Sequence, residues 1–209
     1  MKKKGAYLEE KIIYFEAPGM ENTEETLRLV ADRAKARGVT KIILASTRGD
    51  TARLAADRFA GTEIKMVVVP HQYGRSVEQR FPPELVSKLE QQGHHVHFST
   101  MLFHTDDFYG TSVPSVMATL LRTFCQGMKV CIEIILMATD GGCVATGEKV
   151  IAVSGTGRGA DTAVVAIAAP STKLSELHIT EIICKPLETK SWPAGTRPAP
   201  EIIRSVSGS

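Results

Sequence analysis

The stretch from Lys41 to Phe59 constrains the fold more than any other. Lys41-Ile-Ile-Leu-Ala45 is a short, mostly β-favouring apolar run, the pattern of a strand buried on both faces. Ser46-Thr-Arg-Gly-Asp-Thr51 interrupts it with small hydroxylated residues and one glycine. From about Thr51 the positions Ala52, Leu54, Ala55, Ala56 and Phe59 recur at helical spacing, and Gly61 closes the helix. A strand, a Gly/Ser/Thr loop and a helix start present free backbone N–H groups and the positive end of a helix dipole to an anion. On this reading Ser46, Thr47, Arg48, Gly49, Asp50 and Thr51 form a phosphate cradle, with Arg48 adding a forked, permanently charged donor. The competing reading is an ordinary β–α turn whose Ser, Thr and Asp only cap the helix.

The flanking segments repeat the alternation. Lys11–Phe15 reads as a strand, and Asn22 with Glu25 fits a capping box before a helix carrying Leu27, Val30, Ala31 and Ala34 and stopped by Gly38. Residues 63–69 form a further strand, and Pro82-Pro83 opens a helix over 84–92, followed by a short strand over 95–99. Such alternation predicts an α/β sheet with parallel strands. Residues 113–124 and 127–139 read as helices, the second apolar nearly all round and therefore expected in a core or a subunit contact. With so few charges, this helix pair predicts a homo-oligomer.

Beyond it, residues 148–153 and 163–169 are apolar strands joined by Ser154-Gly-Thr-Gly-Arg-Gly-Ala-Asp-Thr162, and residues 177–184 form a last strand. Because a strand and no helix follows the second glycine-rich loop, the segment predicts a hairpin, placed at the sheet edge. It is not a dinucleotide fingerprint, which requires G-x-G-x-x-G entering a helix. Residues 1–185 are expected to be one domain, and 186–209 a proline-rich tail.

Composition narrows the partners. Net charge is +2 and no basic stripe appears beyond Lys2-Lys3-Lys4, so nucleic acid is not expected. No run reaches the ~18 apolar residues of a membrane span. Cys125, Cys131, Cys143 and Cys184 form no C-x-x-C pair and sit in apolar surroundings, the usage of buried free thiols in a reducing cytoplasm.

In an open parallel sheet, ligands bind beyond the carboxyl ends of the strands. Loops 16–22, 46–51, 70–81, 99–112 and 154–162 are expected to meet there. They bring together both glycine-rich loops, including Gly155, Thr156, Gly157, Arg158 and Gly159, and the group Tyr73, Phe103, His104 and Tyr109. Donor-rich loops beside aromatics suit a small phosphorylated ligand with a flat ring system.

Two motifs also carry a resemblance. Ile42-Ile-Leu-Ala-Ser-Thr-Arg-Gly-Asp-Thr-Ala-Arg-Leu54 with the strand over 64–69, and the segment 148–164 with its Ser154-Gly-Thr-Gly-Arg-Gly159 loop, resemble the C-terminal α/β domain of pyruvate kinase over residues 23 to 168. The chain is also similar to stand-alone archaeal and bacterial proteins built on that domain. The resemblance implies a three-layer α/β/α fold, mostly parallel, with an antiparallel edge hairpin. It implies a loop over 46–51 that holds a phosphate and a loop over 155–159 that closes over it. In the stand-alone proteins it implies flavin mononucleotide (FMN) as the ligand. The sequence departs from the kinase pattern at Arg48 and Asp50, where small or neutral residues are commoner. Kinase chemistry belongs to a separate barrel domain, so kinase activity is not expected from these 209 residues.

Two function classes remain open: a flavin-binding protein, an oxidoreductase being one form, and a sugar-phosphate sensor or regulatory module without catalysis. No catalytic base stands out. His94, His95 and His97 with His104, Asp106 and Asp107 offer zinc-type ligands, His95 and His97 on one strand face, but nothing supplies a fourth ligand and no metal is assigned. Phe103, Phe108 and Tyr109 can equally pack under their own loop.

Overall fold

A computed structural model of the chain describes residues 7–105 and 113–188. Seven strands form one sheet: β1 (Ile13–Phe15), β2 (Lys41–Ala45), β3 (Lys65–Val69), β4 (His95–Val96), β5 (Lys149–Ser154), β6 (Thr162–Ile167) and β7 (His178–Pro186). Their spatial order is β1-β7-β6-β5-β2-β3-β4. All neighbouring strands pair in parallel except that β6 runs antiparallel to both β5 and β7.

Helices cover both faces. On one lie α1 (Thr23–Arg37), α2 (Asp50–Phe59) and α3 (Pro83–Gln91), whose Leu27, Ala55, Phe59 and Leu85 pack on Ile42, Leu44, Met66 and Val68. On the other lie α4 (Val113–Arg122) and α5 (Gln126–Asp140), with Cys131, Ile135 and Met137 against Ile43, Val67, Ala152 and Val164. Alternate residues of β2 and β3 thus enter opposite cores, as period-two strands require; the α/β sheet is as the alternation predicts and its three-layer α/β/α class as the resemblance implies.

The hairpin is real, but its place is not the edge. β6 lies inside the sheet because β7 pairs on its far side and β1 pairs on β7. The physical reason is burial: Thr162, Ala163, Val164, Val165 and Ala166 are all fully buried, and an edge strand would expose their backbone groups. The last strand also extends past the expected 184. Leu187 N–H donates to the Phe15 carbonyl and Glu188 N–H to the Glu16 carbonyl, so the sheet region runs on to residue 188.

Local signals mostly hold. Gly38 takes φ 62 and receives α1, and Pro83 opens α3. The capping box at Asn22 does not form: Asn22 is helical and its Nδ2 donates to the Ala17 carbonyl, 2.9 Å away. A short 3-10 turn over Met20–Asn22 precedes α1, which removes the extended geometry that a box needs.

Candidate functional site

At the carboxyl ends of β2, β3 and β5 a cleft of about 460 Å³ opens between α2 and α5. This lies within the range of small-molecule sites. Its floor is apolar, from Ala45, Val69, Met101, Val130, Ile134 and Met137. Of the sequence-predicted residues, Ser46, Thr47, Arg48, Asp50, Thr51, His104 and the whole run Gly155, Thr156, Gly157, Arg158 and Gly159 line this one cleft. Gly49 and Phe103 do not.

The first loop serves both readings that the sequence leaves open. Ser46 Oγ accepts from the Ala52 N–H at 3.3 Å, so the hydroxyl caps α2. Thr47, Arg48 and the remaining amides of the first turn stay available to a ligand. Asp50 is not the cap. Gly49 occupies that position with φ 87, and Asp50 instead pairs with Arg158 at 3.3 Å and Arg53 at 3.6 Å. That pair ties the two glycine-rich loops together across the cleft mouth. Gly49 faces away from the cleft: a Cβ there would meet Leu85 Cδ2 at 2.4 Å. Its role is to let the chain turn against α3.

The second loop is built on a buried carboxylate. Asp161 accepts from Thr156 N–H at 3.0 Å and from Thr162 Oγ1 at 2.7 Å. Burial pushes its pKa up, and these hydrogen bonds oppose the shift. Gly155 and Gly159 are demanded by close approach. A Cβ on Gly155 would meet the Gly159 carbonyl oxygen at 2.5 Å, and one on Gly159 would meet Met20 Cα at 2.4 Å. Loop 16–22 and the start of α1, where Thr23 Oγ1 accepts from Ala160 N–H at 3.0 Å, therefore support the second glycine-rich loop from behind, and the loop does not line the cleft.

Phe103 is core rather than ligand platform. It is 5% exposed, packs within the α5-side cluster and stands 5.4 Å from Lys129 Nζ. Tyr73 lies outside the cleft, its ring 4.9 Å from that of Phe98. Asp106, Asp107, Phe108 and Tyr109 fall outside the described residues.

The cleft-lining residues that the sequence reading passed over lie mainly on α5. Lys129 and Glu133, one turn apart, are 1% and 2% exposed and form an ion pair at the cleft wall. Glu133 Oε1 also accepts from the Phe103 N–H at 2.9 Å and lies 3.3 Å from His104 Nδ1. Burial alone would raise the Glu133 pKa. The His104 contact, the Lys129 charge and the Phe103 amide outweigh it and bring it down to about 2. Burial lowers the Lys129 pKa, and Glu133 opposes that shift. The signal was two charges spaced i, i+4 inside an otherwise apolar helix. The loop after β3 adds His71, Arg75 and Arg80. His71 is held below its ordinary pKa by burial first and then by Arg75.

Six basic side chains (Arg48, Arg75, Arg80, Arg122, Lys129 and Arg158) thus face two carboxylates, Asp50 and Glu133. Arg48, Arg75 and Arg80 have no side-chain ion-pair partner among the described residues. Such a cleft attracts anions, and the α5 thiol Cys131 is fully buried, with its pKa raised by that burial.

Fold and site together define an α/β domain with a cationic, apolar-floored cleft at the carboxyl end of its sheet. No family model matches the sequence. Among solved structures the chain is similar to a pyruvate kinase from Cryptosporidium parvum, at TM-score 0.40 and 15% identity over 70% of this chain and 22% of that one. It is also similar to Cryptosporidium parvum pyruvate kinase in complex with ADP, at TM-score 0.37 and 16% identity over 69% of this chain and 23% of that one. The chain therefore spans less than a quarter of the length of those enzymes.

Proposed function

We propose that the protein binds a small phosphorylated ligand in this cleft, with FMN as the first candidate. The observation that carries the reading is a set of arginines with no ion-pair partner among the described residues, Arg48, Arg75 and Arg80, beside a helix start and a glycine-rich loop. Arginine presents a planar fork that matches phosphate oxygens in pairs. The phosphate belongs between loops 46–51 and 155–159, and the organic part on the apolar floor of Val69, Met101, Ile134 and Met137. A ring system would lie against aliphatic and methionine side chains there, since Phe103 and Tyr73 do not line the cleft.

The second reading is a sugar-phosphate sensor without catalysis, and the absence of a phenyl, phenol or indole ring from the cleft lining among the described residues supports it. The absorption spectrum of the purified protein and paired titrations with FMN and riboflavin separate the two. FMN binding with quenched fluorescence, and riboflavin weaker by about tenfold or more for want of its charge-assisted hydrogen bonds, supports the flavin reading. A colourless protein that quenches neither flavin but is stabilised by sugar phosphates supports the sensor.

A further inference from the structure

Away from the cleft, at one edge of the sheet, the fold adds to two of the histidines a third donor that sequence spacing does not suggest. β4 is the edge strand, and His95 and His97, two residues apart, stand on the face covered by α5 with ring centroids 6.2 Å apart. The turn after α5 brings Cys143 beside them. One ligand atom from each of His95, His97 and Cys143 lies within 4.8 Å of the other two. We infer that these three side chains bind a divalent transition-metal ion of borderline softness, with zinc as the first candidate. The site is separate from the proposed phosphate cleft and does not depend on that reading.

Three observations support it. The donor set, two imidazoles and a thiol, is one that zinc and its neighbours prefer over calcium or magnesium. Tetrahedral zinc needs its N and S ligand atoms about 3.3–3.6 Å apart, given bond lengths near 2.0 and 2.3 Å. The three atoms, within 4.8 Å of one another, therefore need to close by at most about 1.2–1.5 Å. Second, His97 Nε2 is buried and has no hydrogen-bond partner of ordinary geometry among the described residues, the Met137 backbone being the polar group in contact with the ring. Buried polar atoms are otherwise satisfied, so this ring is incompletely served by the protein alone. Third, the frame is held in place. Cys143 N–H donates to the Ala138 carbonyl at 2.9 Å, and Lys41 Nζ donates to the Cys143 carbonyl at 3.2 Å. Gly141 admits the imidazole, since a Cβ there would meet the His97 ring at 2.2 Å.

His94 takes no part, as its Nδ1 accepts from Met66 N–H at 3.3 Å. His104 stands in the cleft beside Glu133. Binding would convert the Cys143 thiol, which now donates weakly to the Gly141 carbonyl at 3.8 Å, to a thiolate and release its proton. With His95 exposed, a fourth coordination position stays open to water.

The test is a titration of the freshly reduced, chelator-treated full chain with cobalt(II) alone, followed by displacement with zinc. The expected result is one ion per chain, with a thiolate-to-cobalt charge-transfer band and the intense visible bands of a tetrahedral ion. Cys143→Ser should abolish the charge-transfer band. His95→Gln, at an exposed position, should keep the fold and weaken binding by roughly tenfold or more, the scale on which even outer-shell groups act. Absence of the band in the parent protein would overturn the inference. So would a band and affinity unchanged in either variant, which would place the ion elsewhere.

Discussion

Lys129 sits in α5 with its ammonium buried against Glu133, and this pair shows how a residue's environment decides its effect. Removing one member of a buried pair leaves an uncompensated charge. Lys129→Met is therefore expected to destabilise the fold by about 3 kcal/mol. The double variant Lys129→Met, Glu133→Leu should recover part of that loss, as thermal or urea unfolding will show. Glu133 also sets an acid response. Its folded pKa, about 2, lies below its ordinary value, so its contribution is complete above roughly pH 5 and is lost as pH falls towards about 2. Glu133→Gln should flatten stability across that window in acid-unfolding curves. The glycines of the second loop differ in the same local way. Gly157 and Gly159 both have positive φ, but a Cβ meets nothing at Gly157 and meets the Met20 backbone at Gly159. Gly157→Ala should cost about 1–2 kcal/mol of backbone strain. Gly159→Ala should cost clearly more, because a chain segment must also move.

Among the elements, α5 does not need the subunit cover that its apolar sequence suggests. Residues 127–139 are buried almost throughout against their own sheet and α4. The surplus lies on α4, where Val113, Val116 and Leu120, with Phe124 just beyond, leave more than half of their surface exposed along one stripe. Self-association is expected to run through this stripe. Leu120→Glu should then lower the mass seen in light scattering at micromolar concentration, and a parent protein of single-chain mass would remove the expectation. The loops at the cleft make a second case. Arg158 and Asp50 pair across exposed positions, a contact of small intrinsic worth. Asp50→Asn should leave the melting temperature nearly unchanged and free Arg158. FMN, or the sugar phosphate that replaces it, should then bind as well or more tightly, with the gain shrinking as salt rises.

For the whole molecule, the alternation of strands and helices was legible because each element carries its own period and its own stop. The β2 run, Gly38 after α1 and Pro83 at the start of α3 are local signals read without knowing any neighbour. Most of the cleft was legible for the same reason: both glycine-rich loops follow parallel strands, and parallel strands deliver their loops to one edge. Among the described residues no helix is long and apolar enough to cross a membrane, as composition indicates. Three matters lay beyond local pattern. β6 is apolar on both faces, and such a run reads alike at the third position or the last, so only pairing with β7 and β1 placed it inside. Lys129 and Glu133 have the spacing of a solvated surface pair, and only the packing of α5 on the sheet buried them. Cys143 stands 46 residues from His97, and only the turn after α5 carried it to the sheet edge. Sequence determines what each segment prefers through short-range sterics and periodicity. Which segments become neighbours, and hence which charges lose water and which donors converge, was decided by the tertiary packing alone.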